Sequence, residues 1–239
     1  MKLKVENGDL STEVDLYSKE GLKLVAKLWT KTSCQHRLMY EPTWLGVPII
    51  QYPNDMVMMQ ELIWKVRPDV IIETGVAHGG SAILHASILE LLGKGKVIGI
   101  DIEIRKYNEV AIKSHPLSKR IHLIEGSSID KSTLRKVKSI IGDQDKVLVV
   151  LDSNHSYEHV LSEMELYSGL VSVNSYMVVM DGIQEKLWDA PCGKEEWQHD
   201  NPLRAIREFQ EKHAEWVSDA QYNRLLITCC PSGFLRRIR

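Results

Sequence analysis

From residue 70 onward, short apolar runs alternate with segments whose apolar positions recur at helical spacing. Val70-Ile71-Ile72, ending in Glu73, reads as a buried parallel strand, and Ser81–Leu92 reads as the helix that follows it. The same alternation predicts strands at Val97–Asp101, Ile121–Glu125, Val147–Leu151 and Tyr176–Met180. Helices are predicted at Lys131–Ile141, His159–Leu170 and Pro202–His213, the last with Leu203, Ile206 and Phe209 inward. Upstream, Asn54 can cap a helix over Asp55–Lys65, with Met56, Met59, Leu62 and Ile63 spaced as a core face. Leu225–Cys229 and Phe234–Ile238 are expected to close the sheet as an antiparallel hairpin through Pro231-Ser232-Gly233. The pattern as a whole predicts an α/β fold, a mostly parallel twisted sheet with helices on both faces. Residues 1–40 are polar and mixed, with helical stretches around Asp15–Trp29, and are expected to form a helical arm or lid before a domain spanning 41–239.

Polar residues gather at the predicted strand ends: Glu73, Asp101, Ser127, Ser128, Asp152 and Asp181. In an open α/β sheet such positions line one crevice. The first strand runs into Gly75, then Gly79-Gly80-Ser81, and then a helix, the arrangement that cradles nucleotide-like ligands. The glycines run G-x-x-x-G-G rather than G-x-G-x-x-G, and Glu73 sits two residues ahead of the first one. A pyrophosphate favours backbone N–H groups without an anion close by. Glu73 suits instead the cationic methionine end of S-adenosylmethionine, with Gly75, Gly79 and Ser81 against the cofactor. Asp101, ending the second strand, can accept hydrogen bonds from both ribose hydroxyls. A plain βα turn using glycine for tight packing is the simpler alternative.

Leu151-Asp152-Ser153-Asn154-His155-Ser156 follows the fourth strand, and Asp181 arrives from the next one. Asp152 borders the expected cofactor crevice, and carboxylates at adjacent strand ends can share a divalent cation. Hard oxygen ligands favour Mg²⁺, which could lower the pKa of a bound hydroxyl. His155 is the candidate general base, with an ordinary pKa near ~6.5. Asp152 could equally cap the next helix, and His155 could be a satisfied surface histidine. His78, inside the glycine turn, reads as supporting rather than catalytic.

Composition narrows the field only a little. The chain has 239 residues, 44% hydrophobic and 26% charged, with a net charge of −2. That suits one globular α/β domain and gives no global basic field for nucleic acid. No apolar stretch approaches the ~18 residues of a membrane span, and the N-terminus lacks the apolar core of a signal peptide. Cys34, Cys192, Cys229 and Cys230 form no C-x-x-C pattern, so a reduced, cytoplasmic setting is expected.

From Thr43 to Arg239 the chain resembles the cephalosporin hydroxylase family, which includes rhamnosyl and macrolide-sugar O-methyltransferases. The stretches that carry the resemblance are Trp44-Leu45-Gly46-Val47-Pro48, the Glu73-Thr74-Gly75 to Gly79-Gly80-Ser81 turn, Leu151–Ser156 with Val160 and Glu163, and the closing Pro231-Ser232-Gly233-Phe234-Leu235-Arg236-Arg237. The resemblance implies a Rossmann-like class I methyltransferase fold, S-adenosylmethionine as cofactor, and Mg²⁺-assisted O-methylation of a hydroxyl, commonly on a sugar. It implies that Glu73 and Gly75 hold the methionine part, Asp101 the ribose, and Ser127 or Ser128 the adenine side. It further implies Asp152 and Asp181 as metal ligands and His155 as base, with a small-molecule or glycan acceptor and a homo-oligomer. Where the family commonly has Glu-Asp after the fifth strand, this chain has Met180-Asp181, and a thioether is a poor partner for Mg²⁺. Glu185 is then a candidate third ligand. Met180 also leaves open a non-catalytic cofactor-binding module, and the family's name a hydroxylase, although no 2-His-1-carboxylate triad is visible.

Overall fold

A computed structural model describes residues 1–8 and 10–239. Its N-terminal part is a hairpin of β1 (Lys2–Asn7) and β2 (Leu10–Asp15), followed by α1 (Lys19–Gln35). The Ser18 hydroxyl starts α1 by accepting from the Gly21 N–H at 3.0 Å. A two-stranded ribbon, β3 (Thr43–Trp44) with β4 (Val47–Pro48), then leads into α2 (Pro53–Val66). That helix begins earlier than the sequence predicts. Pro53 takes its first position, where a missing N–H costs nothing, so Asn54 lies inside the helix rather than capping it.

The remaining elements alternate. They are β5 (Val70–Thr74), α3 (Gly80–Leu92), β6 (Lys96–Asp101), α4 (Lys106–Ser114), β7 (Ile121–Glu125), α5 (Lys131–Ile140), β8 (Val147–Leu151), α6 (Tyr157–Ser168), β9 (Tyr176–Val179), α7 (Pro202–Lys212), β10 (Trp216–Ser218) and β11 (Phe234–Arg237). The main sheet runs β10-β11-β9-β8-β5-β6-β7, parallel from β9 to β7 and antiparallel at β11 and β10. Strands β5, β8 and β9 are buried along their whole length, as strands with helices on both faces are. The chain builds outward from β5 through β6 to β7, then returns to place β8 on the other side of β5. This reversal opens a crevice at the carboxyl ends of β5 and β8.

Three expectations need correction. The strand that pairs with β11 is β10, not Leu225–Cys229. The latter segment is tied to α2, where buried Asp55 accepts from the Thr228 hydroxyl and, at 2.7 Å, from the Cys229 N–H. Leu226 has φ +66°, which no strand accommodates. Residues 1–40 contain a β-hairpin as well as a helix, and α4 is an additional helix beside the crevice. No helix among the described residues is long and apolar enough to cross a membrane.

Candidate active site

The glycine turn shapes the crevice through the space its glycines leave. Gly75 has φ +88°, and a Cβ there would lie 2.0 Å from the Asp152 carbonyl oxygen. At Gly80, the first residue of α3, a Cβ would lie 2.2 Å from the Pro48 carbonyl. The first glycine lets β5 and β8 exchange backbone contacts at their ends, where the Asp152 N–H donates to the Thr74 carbonyl at 2.9 Å. The second lets the segment before α2 lie against the start of α3.

Two cavities meet over this turn. One, of about 200 Å³, is bordered by Gly75–Ser81 together with Gln51, Asp152, His155 and Asp181. The other, of about 330 Å³, is bordered by Asp101, Ser127, Ser128, Asp152 and His159. Both are also lined by Gly75, Ala77 and Ser153, so they form two lobes of one crevice. Asp101 Oδ2 accepts from the Val76 and Ala77 N–H groups at 2.9 and 3.0 Å, so this side chain pins the turn it was expected to serve. Ser128 is held by His159, at 3.1 Å, and His159 also meets Ser153, which in turn donates to buried Glu163 at 2.7 Å. His159 thus belongs to the crevice wall, a role its position in the sequence does not announce.

At the junction with β9, Asp152, His155 and Asp181 each offer a ligand atom, all within 4.8 Å of one another. His155 Nε2 lies 3.0 Å from Asp181 Oδ2. Burial works against the charged imidazolium, but Asp181 and Asp152 outweigh it and lift His155 to about 9. Burial and the Asp181 charge push the Asp152 carboxyl well above the usual range. For Asp181, burial is outweighed by His155, which holds it below that range. Asp152 does not cap α6. The N–H groups of Ser156 and Tyr157 go to Asn154 and Asp200.

The Met180 departure has a structural account. Its side chain is buried in the core with its sulfur 3.1 Å from Cys230 Sγ. Glu185 is not brought to the cluster either, because Arg207 holds it through both guanidinium nitrogens. The third member is instead His155.

Glu73 is a further correction. It is fully buried beneath the turn, lines neither lobe, and both its oxygens lack hydrogen-bond partners. His85 Nδ1 is 3.7 Å away and equally buried. Burial pushes Glu73 up to about 8 and His85 down to about 4, so at neutral pH the pair is a carboxylic acid beside a neutral imidazole. Glu73 thus lies against His85 of α3 rather than at the crevice surface. Because it binds its proton more tightly folded than unfolded, its contribution is whole below pH 4.5 and lost as pH rises through about 8. The Glu73→Gln variant is expected to be more stable than the parent at pH 9, by roughly 3–5 kcal/mol, and to match it near pH 4. Denaturant unfolding at the two pH values checks this, and equal stability at pH 9 rules the account out.

Gln51 escaped the sequence reading. It is 1% exposed, lines the smaller lobe, and both atoms of its amide lack a hydrogen-bond partner. A buried, unpartnered amide facing a cavity points to a ligand with both a donor and an acceptor.

A family model described as rhamnosyl O-methyltransferase/CmcI matches residues 36–238. The chain belongs to that family. Rhamnosyl O-methyltransferases of Mycobacterium tuberculosis are 28% identical over 214 residues, covering 88% of this chain and 80% of theirs. One from Mycobacterium leprae is 30% identical over 141 residues, 58% of this chain and 59% of that relative. Among solved structures, an apo CmcI structure superposes with a TM-score of 0.61 at 19% identity, covering 84% of this chain and 77% of that one. An O-methyltransferase from Bacillus cereus in complex with SAH gives 0.51 at 16% identity, covering 83% and 81%. At such identities these likenesses establish the class I methyltransferase fold. With its family membership, the protein is an S-adenosylmethionine-dependent O-methyltransferase.

Proposed function

We propose that the protein methylates a hydroxyl of a sugar, or of a small molecule bearing one, with His155 as general base. The observation that carries this reading is the Asp152–His155–Asp181 cluster at the edge of the smaller lobe, where a methyl donor over Gly75 would present its reactive end. The two-lobed crevice supports a bent placement of S-adenosylmethionine. Its adenosine would lie by Asp101, Ser127 and Ser128, and its methionine end over the glycine turn beside Gln51. The ammonium of that end offers a donor for the Gln51 amide oxygen, and its carboxylate an acceptor for the amide N–H groups.

Asp152 and Asp181 are the residues that would hold Mg²⁺, and two carboxylate oxygens within reach of each other fit a hard cation. When bound, Mg²⁺ would supply Lewis-acid polarisation of the acceptor oxygen. The chain's own part is alignment. In this reading the acceptor hydroxyl lies between His155 and the methyl group, and Nδ1, the His155 ring nitrogen not turned to Asp181, takes the proton as the oxygen attacks. A homo-oligomer belongs to the same reading and is supported by the exposed Leu22, Val25 and Trp29 along one side of α1. A cytoplasmic setting likewise fits the four free cysteines.

Methyl transfer from labelled S-adenosylmethionine to a panel of glycosylated acceptors tests the activity. Transfer to O-linked positions is expected, and transfer only to nitrogen or sulfur acceptors contradicts the reading. Gln51→Leu tests the placement of the methionine end. Removing an orphaned buried amide is expected to raise the melting temperature of the free protein, since such a group costs about 1–3 kcal/mol. The same change is expected to weaken S-adenosylmethionine binding about tenfold or more. A purely structural Gln51 would lower the melting temperature and leave affinity alone.

A further inference from the structure

A cavity of about 500 Å³, separate from the crevice, lies between α1 and the segment that follows Asp181. Lys23 and Lys27 of α1 and Lys186 of the facing segment border it, and none of the three has an ion-pair partner among the described residues. A fourth lysine, Lys31, is held by Asp189, the one acid that lines the cavity. Apart from Thr30, the other walls are apolar. Leu187 is buried at the floor, while Trp188 and Leu226 remain 41% and 40% exposed at the rim. Leu226 is held there with φ +66°, a backbone conformation that costs energy for a leucine and is retained only where surroundings impose it.

This combination is unusual for an idle surface. Unpaired lysines that converge on a concave, half-apolar pocket repel one another and attract an anion. An ammonium group binds a phosphate or carboxylate as a point charge without demanding a fixed geometry. Exposed Trp188 and Leu226 offer a ring or an alkyl chain the apolar surface it would otherwise expose to water.

The pocket is also linked to the reaction centre through the backbone. Asp181 is the N-cap of a 3₁₀ turn, Gly182–Lys186, in which Ile183 and Lys186 both line the pocket. Five residues at a rise of about 2.0 Å put Lys186 about 10 Å from Asp181 along the turn. An acceptor whose hydroxyl lies at His155 and whose body follows this turn would carry an anionic group toward Lys186.

We propose that this pocket binds an amphipathic anion, and that the methyl acceptor carries one: an apolar body with a phosphate or carboxylate about 10 Å from the methylated hydroxyl. Calling that ligand the acceptor rests on the O-methyltransferase reading. The binding of an amphipathic anion to the pocket does not.

The probes are dodecyl phosphate, dodecanoate and neutral dodecyl maltoside, each kept below its micelle concentration and titrated against the full chain while tryptophan fluorescence is followed. Dodecyl phosphate is expected to bind at least about tenfold tighter than the maltoside, with affinity falling as salt is added. The combined Lys23→Gln, Lys27→Gln and Lys186→Gln variant is expected to lose that preference, and the corresponding Lys→Arg variant to keep it. Trp188→Phe should remove most of the fluorescence change. Preference for both anionic probes means that any anionic head suffices, and preference for dodecyl phosphate alone narrows the group to phosphate; both support the inference. Equal affinity for charged and neutral probes, or an unchanged preference in the glutamine variant, overturns it. S-adenosylmethionine titrated into the same samples separates the two readings. Retained cofactor binding without anion preference refutes the pocket alone, whereas lost cofactor binding in the parent protein refutes the methyltransferase reading.

Discussion

Gly75→Ala is expected to abolish measurable S-adenosylmethionine binding and methyl transfer while leaving a folded sheet. Two effects act together at this position. An alanine at φ +88° is strained in itself, and its Cβ would lie 2.0 Å from the Asp152 carbonyl oxygen. Neither neighbour is free to move away. The Asp152 N–H is bonded to the Thr74 carbonyl, and the Gly75 N–H to the Ile100 carbonyl. Relief requires the end of β8 to separate from β5. That displaces Asp152 from Asp181 and opens the turn that Asp101 pins through Val76 and Ala77. Stability should fall by about 1–3 kcal/mol, a modest loss beside the loss of function. Calorimetric titration with the cofactor and a denaturant curve on the same sample check both halves. Near-normal cofactor affinity would show that the turn is not the binding surface.

His155→Ala carries the second large effect. A positioned general base contributes typically 10²–10⁴-fold, so the rate of methyl transfer should fall by about that factor with cofactor affinity unchanged. The pH dependence has a definite sign. His155 must be neutral to accept a proton, and Asp181 with Asp152 lifts it to about 9. The parent rate is therefore expected to climb with pH through the neutral range, and the residual rate of the variant to be flatter. Full activity in the variant would leave the hydroxyl proton to be taken by another group and would remove His155 from the chemistry.

The parallel strands were legible because strands covered on both faces are mostly apolar, so Val70–Ile72 and Val147–Leu151 stand out as unbroken apolar runs. The crevice at their ends was legible for a related reason: polar residues at the carboxyl ends of parallel strands tend to face one opening, and Asp101, Ser127, Ser128, Asp152 and Asp181 border it here, whereas Glu73 does not. The failures have equally local causes. Leu225–Cys229 is apolar enough for a strand, but its hydrogen bonds go to buried Asp55, and a side-chain partner of this kind leaves no trace in periodicity. The N-terminal hairpin does have a trace in the sequence, the Asn7-Gly8 dipeptide between alternating segments, which is a hairpin-turn signal. Glu73 was placed correctly on its strand, yet whether its carboxylate faces the ligand or the α3 side of the sheet depends on packing against His85. Gln51 follows two isoleucines in a loop, where nothing in a single sequence distinguishes a buried, unpartnered amide from an exposed one.

The central claim is that the crevice over Gly75 is an S-adenosylmethionine site closed on one side by Asp101. Calorimetric titration of the purified chain with S-adenosylmethionine, with NAD as the competing nucleotide and Asp101→Ala as the control, tests it most directly. The account predicts saturable one-to-one binding of S-adenosylmethionine, no comparable heat with NAD, and affinity weakened about 10- to 100-fold in the control, where a carboxylate that serves both the ribose and the turn is lost. Absence of S-adenosylmethionine binding, stronger binding of NAD, or an Asp101→Ala variant that binds as the parent does would contradict it.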